Sequence, residues 1–163
     1  MKTIDELKEY LSTLKNVPEH YKVAVGSLIF TSDDKVLLIE RGAKARDEQG
    51  KLEGVGGSLG EGERLDEALL REIKEEIGSD VEIEISDNFF VKILPGDKGG
   101  FWVVVDFLCK LVSGTPRIME KDKIEALHFL SLEDINYDDL SVFQKVTMDE
   151  YRKRYGNSPY YKL

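Results

Sequence analysis

Apolar residues recur along this chain with two periods, and the switches between them mark out the elements. Ile4, Leu7, Leu11 and Leu14 stand three or four apart, the spacing that lines one helix face, and predict an N-terminal helix over 3–15 docked on the remainder. Residues 22–30 and 36–41 are dense in Val, Ile, Leu and Phe and predict strands, joined by a turn at Ser32, Asp33 and Asp34. A polar, charged stretch over 42–51 leads into a glycine-rich segment and a helical pattern that stops at Gly78. Residues 81–94 and 99–112 read as two further strands either side of the turn-forming PGDKGG at 95–100, and 124–130 as one more. A helical turn at 132–135 and a closing helix over 142–155 complete a mixed α and β order. No internal repeat, low-complexity tract or linker interrupts it, so residues 1–163 are expected to form one domain.

The helical pattern before Gly78 carries Glu72, Glu75 and Glu76 at i, i+3 and i+4. At roughly 100° per residue these three carboxylates share one arc of the helix. Like charges so placed cost a few tenths of a kcal/mol per pair, which does nothing for helix stability. Leu69, Leu70, Ile73 and Ile77 form an apolar arc beside the carboxylates, with Glu67, Arg71 and Lys74 in the remaining sector. Taken alone, such a helix is an ordinary solvated acidic face. Burying the apolar arc, however, would tuck the carboxylates against the body of the protein at the rim of a cleft. Hard divalent cations take oxygen ligands of this kind, and Mg²⁺ combines one or two carboxylates with substrate phosphates and water. The five glycines from Gly54 to Gly62 permit positive φ and close backbone approach to a ligand.

Gly57, five residues, Glu63, seven residues, then Arg71-Glu72-Ile73-Lys74-Glu75-Glu76-Ile77-Gly78 resembles the signature of the Nudix hydrolases, G-x5-E-x7-R-E-U-x-E-E-x-G-U, with U a bulky aliphatic. The match departs at its last position, where Ser79 replaces the aliphatic, and the flanks differ from many members at Leu52, Val55 and Gly60. The resemblance implies the family's α/β/α sandwich, an α+β arrangement with a mixed sheet between helices. It also implies metal-dependent hydrolysis of a phosphoanhydride bond in a nucleoside diphosphate linked to another moiety: a nucleoside triphosphate, a nucleotide sugar or an ADP-ribose-like compound. Two alternatives on the same fold stay open, a nucleotide-sensing module without turnover and a prenyl diphosphate isomerase.

Composition fits this picture. With 41% apolar and 34% charged residues, the chain matches a soluble globular protein. A net charge of −9 disfavours long nucleic acids, which need clustered Lys and Arg. No apolar run approaches a membrane span, and the N-terminus lacks an apolar secretory segment. The single cysteine, Cys109, excludes an internal disulfide, suits the cytoplasm, and is expected to be a small buried strand residue. The expected partner is a small phosphorylated nucleotide substrate, with no membrane; the sequence is also compatible with a homodimer.

Phosphoanhydrides resist water because their oxygens carry negative charge, which divalent metals neutralise while acidifying a bound water. The metal set implied by the resemblance is Glu72, Glu75, Glu76 and the backbone carbonyl of Gly57, holding Mg²⁺ or Mn²⁺. Arg71 is expected to orient Glu63 or Glu72 through paired hydrogen bonds. The general base is expected at Glu72 or Glu76, with Glu120 as the loop alternative; Lys123 stands where relatives are often acidic. Arg41, Lys44 and Arg46 form a basic cluster ahead of the glycines and are the candidate substrate contacts. Phe89, Phe90, Phe101 and Trp102 are candidates for stacking a base, although aromatics in strands are more often core. Pro95 falls near where ADP-ribose-cleaving relatives carry a proline. His128 reads as a structural strand residue.

Overall fold

A computed structural model describes residues 1–45 and 47–162. Helix α1 spans Ile4–Ser12, capped by the Thr3 side chain. Strands β1 (Lys22–Phe30) and β2 (Lys35–Arg41) follow, then two-residue strands β3 (Leu52–Glu53) and β4 (Gly57–Ser58). Helix α2 (Leu65–Ile77), the long hairpin β5 (Glu82–Pro95) and β6 (Phe101–Ser113), β7 (Ile124–Ser131) and helix α3 (Val142–Tyr155) complete the order, with short 3-10 turns around α3.

The N-terminal helix stops earlier than the 3–15 that its spacing predicts. Ser12 and Thr13 turn their hydroxyls onto the carbonyls of Glu9 and Tyr10, Asn16 adopts a positive φ, and Leu14 is left exposed. Hydroxyl side chains that bond local carbonyls compete with helix continuation.

One mixed sheet runs β3-β2-β1-β6-β5, with β7 added on β2 and β4 on β1. Its centre is the parallel pair β1 and β6; the other strand pairs among the described residues are antiparallel, and a single parallel bridge joins Leu52 to Leu140. Alternation along the strands fills two cores. Val25, Ile29, Leu37, Ile39, Val103, Val105 and Phe107 face α1 and α2, while Leu28, Phe30, Val36, Leu38 and Leu108 face Met148 and Tyr151 of α3. This is the α/β/α sandwich, with helices covering both faces. Cys109 is fully buried on the α2 side, where burial raises its thiol pKa. Among the described residues no helix is long and apolar enough to cross a membrane.

The segment Leu52–Ser58 forks the sheet. Its first residues pair with β2 (Leu52 with Glu40, Glu53 with Ile39), and its last with β1 (Ser58 with Ala24, Gly57 with Val25). Between them the backbone runs so close to β1 that a Cβ on Gly54 would overlap the Ser27 carbonyl, and one on Gly56 the Val25 carbonyl. These two glycines serve backbone-to-backbone packing, not a left-handed turn. Of the five glycines from Gly54 to Gly62, only Gly62 has a positive φ. The Ser27 hydroxyl ties the fork by donating to the Val55 carbonyl at 2.8 Å.

Candidate active site

Helix α2 lies against the forked sheet through Leu65, Ala68, Leu69, Ile73 and Ile77. Leu70, expected within the buried arc, is instead 40% exposed at its edge, and the stripe begins earlier with Leu65 and Ala68. Seven residues after Leu69, Glu76 returns to within about 20° of it around the helix, so this carboxylate enters the buried side. Glu72 flanks it with a side chain only 12% exposed, whereas Glu75 is 52% exposed.

Arg71 holds the first carboxylates in place. It donates to both oxygens of Glu63 (2.7 and 3.1 Å), to Glu72 Oε1 (2.8 Å) and to the Ser58 carbonyl (3.0 Å), and approaches Glu75 at 3.4 Å. Both partners expected for Arg71 are thus engaged together. Glu63 also accepts the Gly60 N–H at 2.8 Å; the Arg71 hydrogen bond, then the Gly60 one, lower its pKa. Gly57 meets the Glu72 carboxylate so closely that a Cβ there would overlap it.

The loop after β6 docks on the end of α2: the N–H groups of Arg117 and Met119 bond the carbonyls of Ile77 and Glu76. This delivers Glu120 to the carboxylates, close enough for its charge to raise the pKa of Glu72 and Glu76. Glu120 is itself paired with Lys123 at 3.0 Å. Burial is the main reason Glu76 has a pKa well above the ordinary carboxylate value, reinforced by the charges of Glu72, Glu53 and Glu120. Glu72 is raised too, first by burial and against the pull of Arg71. Oxygen Oε2 of Glu76 is shut away from solvent and has no hydrogen-bond partner among the described residues.

This donor set fits a divalent cation: several hard oxygens, repelling one another, one of them buried and unsatisfied. Among the described residues no three carboxylates already converge as a finished coordination group. Glu72 is drawn toward Arg71.

The raised pKa of Glu76 has a measurable consequence. A carboxylate whose folded pKa exceeds its unfolded value binds more protons in the folded state, so stability falls as pH rises from the ordinary 4.5 toward the folded pKa. In metal-free protein the Tm of Glu76→Gln should match wild type at acid pH below the ordinary carboxylate value and exceed it at neutral pH. A difference independent of pH would contradict the assignment.

Of the candidate substrate contacts, Arg41 is already committed, donating to Glu53 Oε1 (2.5 Å), Asp47 Oδ1 (2.7 Å) and the Asp47 carbonyl (2.9 Å). Lys44 is exposed, 3.4 Å from Asp122, and Arg46 lies outside the described residues. Phe90 is core and Phe101 exposed, while Trp102 lines a cavity. His128 bonds Glu40 at 3.1 Å as a cross-strand pair. Pro95 closes β5.

Two adjoining cavities open at the fork. One of about 420 Å³ is bordered by Glu76, Arg41, Lys44 and Lys123; the other, of about 230 Å³, by Gly26, Gly54, Trp102, Asp106, Phe143 and Gln144. Glu53 borders both, its pKa raised by burial and restrained by Arg41. Glu53, Lys92, Asp106, Phe143 and Gln144 do not stand out in the sequence reading. The signal available for two of them is a lone charge inside an apolar strand, Lys92 in NFFVKIL and Asp106 in FWVVVDFLC.

The NUDIX domain family matches residues 20–151. Among solved structures, the chain is similar to a MutT NUDIX hydrolase from Burkholderia pseudomallei at 29% identity and TM-score 0.65, covering 80% of this chain and 98% of that one. A NUDIX hydrolase from Nitrosomonas europaea matches at 23% identity and TM-score 0.65, covering 88% and 96%. The NUDIX domain of Shewanella oneidensis NrtR, complexed with ADP ribose, matches at 21% identity and TM-score 0.64, covering 90% and 97%. No curated protein matches the chain.

Proposed function

Because the chain belongs to the Nudix family and is a pyrophosphohydrolase of it, we propose that it cleaves the phosphoanhydride bond of a nucleoside diphosphate linked to a further group, with water attacking phosphorus. The observation that carries this reading is the buried, unsatisfied Glu76 carboxylate flanked by Glu72 and Glu120 beside a cavity lined with cations.

Glu72, Glu75 and Glu76, with the Gly57 carbonyl, would hold Mg²⁺ or Mn²⁺. Such an ion, when bound, supplies charge neutralisation for the diphosphate and acidity for a water. Arg71 keeps Glu63 and Glu72 oriented and secures the loop through the Ser58 carbonyl. Lys44 and Lys123 face the diphosphate across the larger cavity, while Arg41 supports Glu53. Glu120 takes the proton of the attacking water: Glu72 is engaged by Arg71 and Glu76 is enclosed, whereas Glu120 arrives on a separate loop and its own partner, Lys123, is solvent-exposed. Positioning and electrostatics do most of the work in phosphoryl chemistry.

The reading is tested by assaying nucleoside triphosphates, dinucleoside polyphosphates, nucleotide sugars and ADP-ribose with Mg²⁺ and with Mn²⁺. ADP-ribose is included because the Shewanella domain binds it. The expected result is metal-dependent release of a nucleoside monophosphate or pyrophosphate, and ¹⁸O-water locates the phosphorus attacked. Tight nucleotide binding without turnover in either metal would favour a sensing module. Activity confined to prenyl diphosphates would favour an isomerase.

A further inference from the structure

The two cavities share Arg41, Glu53, Gly56, Ser58 and Trp102, which makes them one cleft with two ends of different charge. The larger end carries Lys44, Lys123 and the Glu76 carboxylate. At the smaller end the Lys92 ammonium is spent on three partners: Asp106 Oδ2 (2.7 Å), Thr147 Oγ1 (2.6 Å) and the Phe143 carbonyl (2.9 Å). The Thr147 hydroxyl also donates to Asp106 Oδ2 at 2.5 Å. Among the described residues the cations bordering this end are already paired, Lys92 with Asp106 and Arg41 with Glu53 and Asp47, so a phosphate placed here would meet the Asp106 and Glu53 carboxylates. At the larger end Lys44 and Lys123, although paired with Asp122 and Glu120, keep exposed side chains that can turn to a ligand, so the diphosphate belongs there.

Two polar groups border the smaller end. The hydrogen bond and ion pair that hold Asp106 fall on Oδ2, while Oδ1 lies over Gly26, where any Cβ would overlap it. Gln144 is 5% exposed; its Oε1 accepts the Gly54 N–H at 2.9 Å, which fixes the amide, and its Nε2 has no acceptor among the described residues. Buried polar groups without partners are rare, and one in a cavity wall calls for a ligand. Trp102 and Phe143 line the same space. A flat heteroaromatic ring with an N–H donor beside an acceptor answers every one of these features.

We propose that this end of the cleft is the nucleobase subsite, in which Asp106 Oδ1 accepts a ring N–H or amino hydrogen and Gln144 Nε2 donates to the neighbouring acceptor, so that these two residues set base specificity. The proposal rests on the nucleotide reading above but requires neither metal nor turnover. The test is an NMR titration of full-length protein in EDTA with adenosine, guanosine, cytidine and uridine, against methyl riboside as the base-free probe. At least one nucleoside should shift the Gln144 side-chain amide and the Gly26 and Gly54 backbone amides, binding tenfold or more tightly than methyl riboside. N-methylation of the donor edge of that base, and Gln144→Met, should each remove the preference. The modified nucleoside needs no change to the protein, so a folding defect cannot imitate the result. Absence of any preference over methyl riboside, or a preference that survives both changes, overturns the proposal. Base binding without turnover in the metal panel would sink the hydrolase reading alone; turnover without base preference would sink this one alone.

Discussion

Glu76→Gln is expected to lower kcat/KM by about 10³-fold or more and to abolish the rise in Tm that Mg²⁺ or Mn²⁺ gives the wild-type protein. Metal-assisted charge neutralisation contributes several kcal/mol to a phosphoryl transition state, and roughly 4 kcal/mol corresponds to a thousandfold. The wild-type Tm shift follows from mass action, about 2.7 kcal/mol at a hundred times Kd. Glutamine matches glutamate in shape and relieves the repulsion from Glu72, Glu53 and Glu120, so the metal-free variant should unfold later than wild type at neutral pH. Higher stability with lost turnover separates a missing ligand from a damaged fold. Glu120→Gln should behave differently: a loss of about 10²–10⁴ in kcat, the range for general base catalysis, with the metal-induced Tm shift retained. Turnover within about tenfold of wild type in Glu76→Gln would end the metal-site reading.

How much of this was legible beforehand depends on the range of the interaction. Helix α2 and its carboxylates follow from local spacing, and both β1 and α3 begin and end where the apolar pattern does. The exposure of Leu70 does not, because one helix face meets one sheet and the contact settles which edge of the arc stays in water. The glycines of the fork were visible, but the reason for Gly54 and Gly56 was not. It lies in the approach of their backbone to Ser27 and Val25, some thirty residues earlier in the chain. Arg41 read as a free cation because Glu53 and Asp47 reach it only once β2 and β3 are paired. Glu120 became legible as a neighbour of the helix through resemblance; its physical cause is the hydrogen bonding of the 117–119 backbone to the end of α2.

Lys92→Met is expected to be the most destabilising single change outside the cores. Lys92 and Asp106 sit on adjacent strands, Lys92 opposite Val104 and Phe90 opposite Asp106, so the two charges are diagonal neighbours on one face. They are 7% and 3% exposed, and α3 closes over them with Thr147 and Phe143. Among the described residues, removing the ammonium leaves the Asp106 carboxylate with the Thr147 hydroxyl as its side-chain donor, at a position only 3% exposed. Breaking a buried pair in this way costs about 3–5 kcal/mol. For a domain of this size that corresponds to a fall in Tm of roughly 10 °C. The double variant Lys92→Met with Asp106→Asn carries no buried charge and keeps an acceptor for Thr147, so it should recover most of the loss. That recovery, read from thermal unfolding as a non-additive cycle, distinguishes the uncompensated charge from lost side-chain packing. Additive effects of the two substitutions would mean that the pair is not coupled, and that Asp106 is held in the cleft by Thr147 and the strand alone.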